Sequence, residues 1–388
     1  MANTFQPPID DQEAPLRGIR VVEFGQYIAA PAAGQALADL GADVIKIEPD
    51  GGDAARQIGW VQDDCGPMFS AYNRGKRSVV LNLRSAEGQQ HAHRLVDRAD
   101  IVLQNARPGS LERIGLGAQK LTERLPRLIY GQVSGFGQTG PASVRAGLDI
   151  AAQAESGMMS LNGEAGRAPV RIGFTVVDVL TAQTLVSGVL AALYRRTVTG
   201  RGSLIELSLI DVAVTSLANA WAEYRLQNEV PMRRGNGQPM AAPAAEVVAT
   251  RDGLVVVSAY TQQHFPRLCA AIGQASLTSD PRFADNCSRV QNRTELLTIL
   301  NAAFRHFSTG QVCDLLTDAG VVVGAIRTMD QIHPGQNGVS EDLFVPTHTA
   351  KRTAMNIPGL SLLSDYRRRS GKLPHLGEHT AEVLAELQ

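Results

Sequence analysis

Short β-branched segments alternate with helical segments along the first half of the chain, and this alternation constrains the fold more than any other feature. Residues 18–24 are short, apolar and β-branched, which predicts a buried strand. Residues 31–40 have a helical composition that Gly41 ends, and residues 42–48 predict a second strand. A strand, a short crossover helix and another strand make a β-α-β unit, so we expect a parallel sheet.

The same rhythm continues beyond this first unit. Further strands are predicted at residues 78–83, 100–104, 128–134 and 203–208, and helices at residues 85–99 and from Asp178 to about Tyr194. Repeated alternation of this kind predicts an α/β fold with a doubly wound, Rossmann-like large domain.

A chain of 388 residues is too long for one core, which favours two domains. We expect a large α/β domain at residues 1–200, completed by residues 340–388 with a helix from about Thr380. Residues 225–330 predict a smaller α+β domain, and residues 201–224 and 331–339 are expected to link the two. The smaller domain has a predicted hairpin (residues 246–250 and 254–260), helices (290–307 and 310–319) and a strand (321–326).

Charge and composition disfavour several classes of partner. Lys and Arg total 37 against 38 Asp and Glu, a formal net charge of -1, so no global field attracts nucleic acid or an acidic membrane. Aromatic residues for base stacking are only 5% of the chain. The opening residues lack a signal-peptide pattern, and the most apolar stretch, residues 185–194, is about half a membrane span. We therefore expect a cytoplasmic protein.

The sequence predicts no metal site and no permanently bound cofactor. His91 and His93 face different directions on their predicted helix, and Gly235-Asn-Gly237 lacks the context of a dinucleotide loop, which favours a turn. The cysteines have no paired spacing that would indicate a disulfide or a thiolate metal site: Cys65, Cys269, Cys287 and Cys313.

Asp178 lies at the predicted start of the long apolar helix. A carboxylate at a helix N-terminus is held ionised by the helix dipole and by unpaired backbone N–H groups. Such a carboxylate acts either as a simple cap or as a nucleophile, and the residue alone leaves both roles open.

Basic and amide side chains follow several predicted strands, in residues 73–78, 81–84, 105–109 and 111–116. Open parallel sheets bind ligands beyond the carboxyl ends of their strands. These Arg, Lys, Asn and Gly residues therefore indicate a site for phosphates and an amide-bearing arm.

Taken in order, these segments resemble the class III CoA-transferases, the family of formyl-CoA transferase and the carnitine and bile-acid CoA-transferases. The resemblance covers nearly the whole chain, and its motifs are residues 16–24, 42–48, 73–78, 105–116, 134–141, 199–202 and 376–380. It implies an enzyme that takes acyl-CoA and small carboxylic acids as substrates, and that forms an interlocked homodimer.

The resemblance also implies a role for each catalytic residue. Asp178 would attack the thioester of a donor acyl-CoA, and the CoA thiolate would then convert the mixed anhydride into an aspartyl-CoA thioester. Asp149 is expected to orient the reacting carbonyl or the Asp178 segment, with a helix N-cap as the alternative. Gly235 and Gly237 are candidates for backbone N–H donors to the oxyanions.

Family correspondence assigns further residues to CoA. They are Tyr27, Ile28, Ala29, Leu81, Asn82, Arg84, Asn105, Ala106, Arg113 and Arg145. Arg145 and Arg171 are candidates for either a CoA phosphate or a second substrate carboxylate. Pro49, Ile28 and Met68 depart from the residues of formyl-CoA transferase, which argues against formate or oxalate as substrates.

Two alternatives to CoA transfer follow from the same family. Its α-methylacyl-CoA racemases need a His at the position of Leu148 to move a proton, and a leucine cannot do so. A non-catalytic acyl-CoA-binding protein is the second alternative. Within the transferase interpretation, we expect succinyl-CoA as donor and a small dicarboxylate such as itaconate or mesaconate as acceptor.

Overall fold

Parallel strands form the central sheet of the computed structural model, which describes residues 14–237, 242–349, 354–362 and 371–388. Within residues 14–237, the strands are β1 (Arg20–Glu23), β2 (Asp43–Glu48), β3 (Arg77–Val80), β4 (Ile101–Gln104), β5 (Ile129–Ser134) and β6 (Ser203–Ser208). They pair in the order β3-β2-β1-β4-β5-β6, which is the strand order of dinucleotide-binding doubly wound folds. The predicted parallel α/β sheet is confirmed.

The helices are placed along the whole chain. They are α1 (Ala29–Asp39), α2 (Pro67–Tyr72), α3 (Ala86–Asp97), α4 (Ala118–Arg124), α5 (Asp149–Glu155), α6 (Met158–Leu161), α7 (Val176–Thr199), α8 (Leu209–Ser216), α9 (Ala218–Gln227), α10 (His264–Ala271), α11 (Asn286–Gln291), α12 (Arg293–Phe304), α13 (Thr309–Asp318) and α14 (Thr380–Ala385). The predicted helix beginning at about Thr380 is confirmed, whereas α2, α4, α5, α6, α8, α9, α10 and α11 were not predicted from the sequence.

Both faces of the sheet are buried, because successive strand residues point to opposite sides. Val21 packs into one core together with Leu37 of α1 and Leu185 of α7. Its neighbour Val22 packs into the other core, which contains residues of α3, α4 and α14. The short apolar strands of the sequence are therefore buried on both sides, and polar side chains gather at the strand ends.

The long helix α7 runs from Val176 to Thr199, further than the predicted end near Tyr194. Gly200 ends it in the left-handed conformation, with φ of 71°. Of the described residues, this one helix has the length and composition that a membrane span requires. Its Val177, Leu185 and Val189 are fully buried in the core beneath the sheet, as in the central helix of a folded domain.

The chain divides into two compact units, residues 1–158, 172–221 and 334–388 in the first and residues 159–171 and 222–333 in the second. The second unit contains an antiparallel sheet of β7 (Ala245–Ala249), β8 (Leu254–Ser258) and β9 (Val322–Ala325). This sheet confirms the predicted hairpin around Arg251-Asp252-Gly253 and the strand after α13. Its core includes Phe265, Leu300 and Phe304.

Several segments of the first unit differ from their sequence-based description. Residues 201–224, expected as a linker, contain β6 and α8, and β6 pairs with β5 along its whole length. A small sheet of β10 (Phe344–His348), β11 (Ala354–Pro358) and β12 (Gly371–Lys372) was not predicted. Its strands are short and lack a clear apolar alternation, so periodicity gives no signal for them.

Candidate active site

Asp178 lines a cavity of about 310 Å³ at the carboxyl end of the central sheet. The cavity receives residues from the loop after β1, the loop after β4, the end of β5 and the first turn of α7. Its lining is Tyr27, Ala29, Asn105, Ala106, Arg107, Pro108, Val133, Ser134, Gly135, Ser143, Arg145, Ala146, Gly147, Leu148, Asp178 and Leu209. Ligands of doubly wound folds bind at this edge, where the strand order reverses between β1 and β4.

The carboxylate of Asp149 holds the start of α7 in place. Its Oδ2 accepts hydrogen bonds from the backbone N–H groups of Val177 (2.7 Å) and Asp178 (3.2 Å). These are two of the N–H groups that the first turn of a helix leaves without partners. Asp149 is buried and is itself the first residue of α5, where it makes no cap for its own helix. The contact therefore fixes the position of the Asp178 backbone.

Gln153 holds the Asp149 carboxylate in place. Its side-chain amide donates to Oδ1 of Asp149 at 2.6 Å, and its carbonyl oxygen accepts from the backbone N–H of Ile172 at 2.9 Å. The side chain is fully buried. Gln153 thereby ties α5 to the segment that leads into α7, a contact that sequence reasoning missed because no local pattern marks a long-range amide.

Burial raises the pKa of Asp178 to about 7, and the negative charge of Asp149 adds to the effect. The helix dipole was expected to hold this carboxylate ionised, and that expectation was wrong. The reason is that Asp149 already occupies the N–H groups at the start of α7, while the apolar surroundings penalise a second charge. At neutral pH the residue is thus divided between its acid and its nucleophilic carboxylate form.

The loop after β1 forms a second wall of the cavity and is held by two side chains. Asn105 accepts from the backbone N–H of Gln26 (2.8 Å) and donates to the carbonyl of the same residue (2.7 Å). Asp53 accepts from the backbone N–H of Tyr27 at 3.2 Å. Tyr27 has φ of 64°, a conformation that non-glycine residues adopt only when their surroundings enforce it.

A buried ionic cluster lies beneath this loop. Lys46 donates to Glu23 (3.0 Å) and to the carbonyl of Gly25 (2.8 Å), and it pairs with Asp53 (2.9 Å). Lys76 donates to the other oxygen of Glu23 at 2.8 Å. Helix α1 approaches the cluster so closely that a Cβ on Gly34 would lie 1.9 Å from the Glu23 carboxylate. The loop backbone is therefore fixed by charges that no water reaches.

A larger cavity, of about 590 Å³, adjoins the first one. Ala106 lines both cavities. The larger one lies beyond the ends of β1, β2, β3 and β4, and five predicted CoA residues line it: Leu81, Asn82, Arg84, Ala106 and Arg113. Among the described residues, the Arg84 guanidinium has no hydrogen-bond or ionic partner, and the Arg113 guanidinium donates one long hydrogen bond, to the Ser110 hydroxyl at 3.4 Å. Both cations are available to a phosphate-bearing ligand.

A match to a known family decides the identity of the chain. The model of CoA-transferase family III matches residues 16–380. The chain belongs to this family. The match confirms the resemblance inferred from the sequence.

Relatives of this class III CoA-transferase align along nearly its whole length. It is 36% identical over 393 residues to the succinate–glutarate CoA-transferase of Agrobacterium fabrum, covering 97% of each chain. It is 34% identical to the succinyl-CoA–D-citramalate CoA-transferase of Chloroflexus aurantiacus, covering 96% of this chain and 94% of that relative. A crystal structure of a CAIB/BAIF family protein from Brucella suis matches with a TM-score of 0.86 and 33% identity, covering 97% of this chain and 100% of that one.

The remaining predicted residues of the CoA-transferase have different placements. Tyr27, Ala29, Asn105 and Arg145 line the Asp178 cavity, not the larger one. Ile28 is buried at the start of α1 and lines neither cavity.

The two glycines predicted to cover the site belong to the second unit. The N–H of Gly235 donates to Gly163 at 3.0 Å, and that of Gly237 donates to Arg234 at 3.4 Å. Since both N–H groups already have carbonyl partners, this arrangement does not present them to an oxyanion. Their catalytic role stays a prediction.

Two cavity residues were not singled out from the sequence. Arg107 is exposed, and its guanidinium has no partner among the described residues. Ser134, at the end of β5, is buried, and its hydroxyl has no hydrogen-bond partner among the described residues. By contrast, Arg145 is paired with both oxygens of Glu155 and stacks on Phe136, with 4.3 Å from its guanidinium carbon to the ring centroid.

Thiols and metal ligands are not gathered at the site. All four cysteines are unpaired, and burial raises the pKa of the Cys65 thiol to about 11, far from the thiolate form. Within the described part of the chain, no group of three His, Cys, Asp or Glu side chains is placed to hold a metal ion. The smaller cavity is instead lined by the carboxyl of Asp178, whose pKa of about 7 leaves it close to half ionised at neutral pH.

Proposed function

We propose that this class III CoA-transferase moves CoA from an acyl-CoA donor to a carboxylic acid through an aspartyl-CoA thioester on Asp178. The observation that carries the proposal is the placement of Asp178 in a small cavity that shares Ala106 with a larger, arginine-lined one. In this arrangement the CoA moiety occupies the larger cavity and its thioester reaches the carboxylate in the smaller one. No permanently bound cofactor takes part.

The reaction is a series of acyl exchanges. An Asp178 carboxylate oxygen attacks the thioester carbonyl, and the C–S bond breaks. The products are a free CoA thiolate and a mixed anhydride between the donor acyl group and Asp178. The thiolate then attacks the Asp178 carbonyl, the anhydride C–O bond breaks, and the donor acid departs as a carboxylate. An acceptor carboxylate then attacks the aspartyl-CoA thioester, which releases the CoA thiolate and forms a second mixed anhydride. The thiolate attacks the acceptor carbonyl of this anhydride, so the acceptor leaves as its CoA thioester and the Asp178 carboxylate is restored. Each step replaces one activated acyl bond by another, so the thioester free energy is retained.

The surroundings of Asp178 favour this chemistry over hydrolysis. The carboxyl is half-buried, and its pKa of about 7 leaves a substantial ionised fraction at neutral pH. A desolvated carboxylate is a stronger nucleophile than a hydrated one, and a small cavity limits the access of water to the anhydride. Asp149 contributes by holding the nucleophile's backbone through the bonds to Val177 and Asp178.

We propose dicarboxylic acids as the acyl groups, with succinyl-CoA as a donor. The relatives from Agrobacterium fabrum and Chloroflexus aurantiacus bear names with succinate, glutarate, succinyl-CoA and D-citramalate, all acids with two carboxylates. A cavity of about 310 Å³ is at the small end of ligand sites and suits such short acids. Itaconate and mesaconate belong to the same size class.

We further propose that the enzyme acts as a homodimer. Leu190, Tyr194 and Val198 recur at intervals of four residues on α7 and are 37%, 74% and 74% exposed. Residues at this spacing share one helix face, and an exposed apolar stripe is typical of a surface that a partner covers. Light scattering at micromolar concentration tests this, since a monomer would contradict it.

Intact-protein mass spectrometry after brief exposure to succinyl-CoA tests the proposed function. We expect a CoA-sized adduct that peptide mapping assigns to Asp178, and none in Asp178→Asn, which keeps the size of the side chain. Glu87→Gln, whose side chain is 85% exposed on α3, is the control that keeps the adduct. Tight CoA binding without an adduct from any donor would contradict the transferase mechanism.

The structure gives no support to the racemase alternative. Leu148 lines the Asp178 cavity, and the racemases need a proton carrier at that position. We expect no deuterium exchange at the α-carbon of a branched acyl-CoA. Exchange without CoA transfer would favour the racemase instead.

A further inference from the structure

Two arginines line the cavity of Asp178, and they differ in whether the guanidinium already has an ionic partner. Arg145 is neutralised by the two carboxylate oxygens of Glu155 and stacks on Phe136. Arg107 has no ionic or hydrogen-bond partner for its side chain among the described residues. Arg107 is therefore the cavity cation that has its full charge available to a ligand.

The two cavities contain different arginines, and these suit two different anions: the phosphates of CoA and a carboxylate of the acyl group. Arg84 and Arg113 line the larger cavity, where they are available to the phosphates of CoA. Arg107 lines the smaller cavity together with the nucleophile Asp178. The larger cavity thus has its own cations for phosphates, whereas the smaller cavity is lined both by the Arg107 guanidinium and by the reacting group.

A second group in the same cavity is available to a ligand. Ser134 is 6% exposed, and its hydroxyl has no partner among the described residues, although a buried hydroxyl without a hydrogen bond is costly. Ser134 lines the cavity at the end of β5. A ligand that bears oxygen atoms would satisfy it, which an alkyl chain cannot do.

Charge balance selects the class of ligand. Asp178 lines the cavity and Asp149 contacts its backbone, so the negative charge of these carboxyls repels an additional carboxylate unless a cation faces it. The one carboxyl carbon of a monocarboxylic acyl group is the reacting carbonyl, so such a group has no carboxylate that could pair with Arg107. A dicarboxylic acyl group presents a second carboxylate, which the planar guanidinium binds through two parallel hydrogen bonds.

We propose that Arg107 is the specificity residue of this enzyme and binds the far carboxylate of a dicarboxylic acyl group whose near carbonyl reacts with Asp178. This inference rests on the proposed function, because it assigns the acyl end of the same cavity. It separates Arg107 from the residues that bind CoA.

The test compares succinyl-CoA with butyryl-CoA, which has an acyl chain of the same length without the second carboxylate. The initial rate of the Asp178 adduct is measured by quenched mass spectrometry at subsaturating donor, without an acceptor. We expect the wild-type enzyme to prefer succinyl-CoA. In Arg107→Gln the succinyl-CoA rate falls about tenfold or more, as for loss of hydrogen bonds to a charged group, while the butyryl-CoA rate stays within about twofold. Arg107→Lys retains part of the preference.

Controls separate this inference from the proposed function. Arg124→Gln removes an arginine of α4 that pairs with Asp97 outside the cavity, and we expect both rates to be unchanged. Equal losses with the two donors in Arg107→Gln, an unchanged preference, or a wild-type preference for butyryl-CoA would each overturn the role of Arg107. An absence of any Asp178 adduct in the wild-type enzyme would instead overturn the proposed function, and the inference with it.

Discussion

Oδ2 of Asp149 accepts a hydrogen bond from the backbone N–H of Asp178 at 3.2 Å, so one carboxylate holds the backbone of the residue that carries the other. The same contact brings two negative charges together. Asp149 therefore has two effects on Asp178, since it fixes the position of the Asp178 backbone and raises the pKa of the Asp178 carboxyl. The two effects are separable by mutation.

The first prediction concerns the pH dependence of adduct formation. In the proposed mechanism the attacking form of Asp178 is ionised, and the pKa of this carboxyl is about 7, so we expect the rate to rise with pH and to level off above neutrality. Asn at position 149 keeps an oxygen that accepts the two N–H groups but removes the charge, so Asp149→Asn shifts the midpoint to lower pH. Quenched mass spectrometry between pH 5 and 9 measures both profiles. Identical midpoints in the two proteins would contradict the electrostatic role of Asp149.

The second prediction is a gain of stability in an inactive variant. The folded-state pKa of Asp178 is about 7, above its ordinary value of 3.8. As pH rises between these values, the unfolded chain loses its proton first, so the folded state loses relative stability, and the loss is complete above pH 7. Asp178→Asn avoids this loss. We expect its melting temperature at pH 8 to exceed that of the wild-type enzyme by at least about 2 °C.

A comparison at low pH checks the cause of this gain. Near pH 4 the wild-type carboxyl is protonated in the folded state and about half protonated in the unfolded state, so most of the difference in melting temperature should vanish. The exposed Glu87→Gln should show no such gain at pH 8. A gain for Asp178→Asn of equal size at both pH values would indicate a packing effect instead.

The third prediction concerns the loop after β1. Asn105 makes two hydrogen bonds to the backbone of Gln26, beside Tyr27 in its left-handed conformation. Asn105→Ala removes both bonds and lets the loop relax, so we expect the KM for acyl-CoA to rise about threefold to tenfold. Asn105→Asp keeps the acceptor but loses the donor, and its KM should be intermediate. An unchanged KM in both variants, measured by steady-state kinetics, would contradict the role of Asn105 in holding the loop.

The sequence carried enough information for the central sheet because its strands are short, β-branched and buried on both faces. Val21 and Val22 belong to opposite cores, and such local patterns depend on few long-range contacts. The strands β10, β11 and β12 lack this pattern, and their pairing depends on neighbours far along the chain. Their existence was therefore not predicted.

The sequence predicted which residues line the candidate site better than it predicted their pKa values and ionic partners. Family motifs pointed to Asp178, Asn82 and Arg113, and each of these lines one of the two cavities. The pKa of Asp178 depends on burial and on Asp149, which reaches it through tertiary contact. Whether an arginine is paired, as Arg145 is and Arg107 is not among the described residues, also depends on tertiary contacts, so the sequence could not show which of the two has its charge available.

The last prediction concerns the buried cluster beneath the loop. Lys46 neutralises Glu23 and Asp53 and also donates to the carbonyl of Gly25, and its side chain is fully buried. Lys46→Met leaves two buried carboxylates without this cation. Removal of one partner of a buried ion pair costs about 3–5 kcal/mol, which corresponds to a fall in melting temperature of about 6 °C or more.

A surface variant and a kinetic readout complete this test. Arg124→Ala breaks the exposed pair with Asp97, and we expect its melting temperature to change by no more than about 2 °C. Below the melting temperature, Lys46→Met should also raise the KM for acyl-CoA, because Gly25 and Asp53 support the loop that includes Tyr27. A variant as stable as the wild-type enzyme would show that the cluster does not depend on Lys46. A destabilised variant with an unchanged KM would show that the cluster supports the core but not the loop.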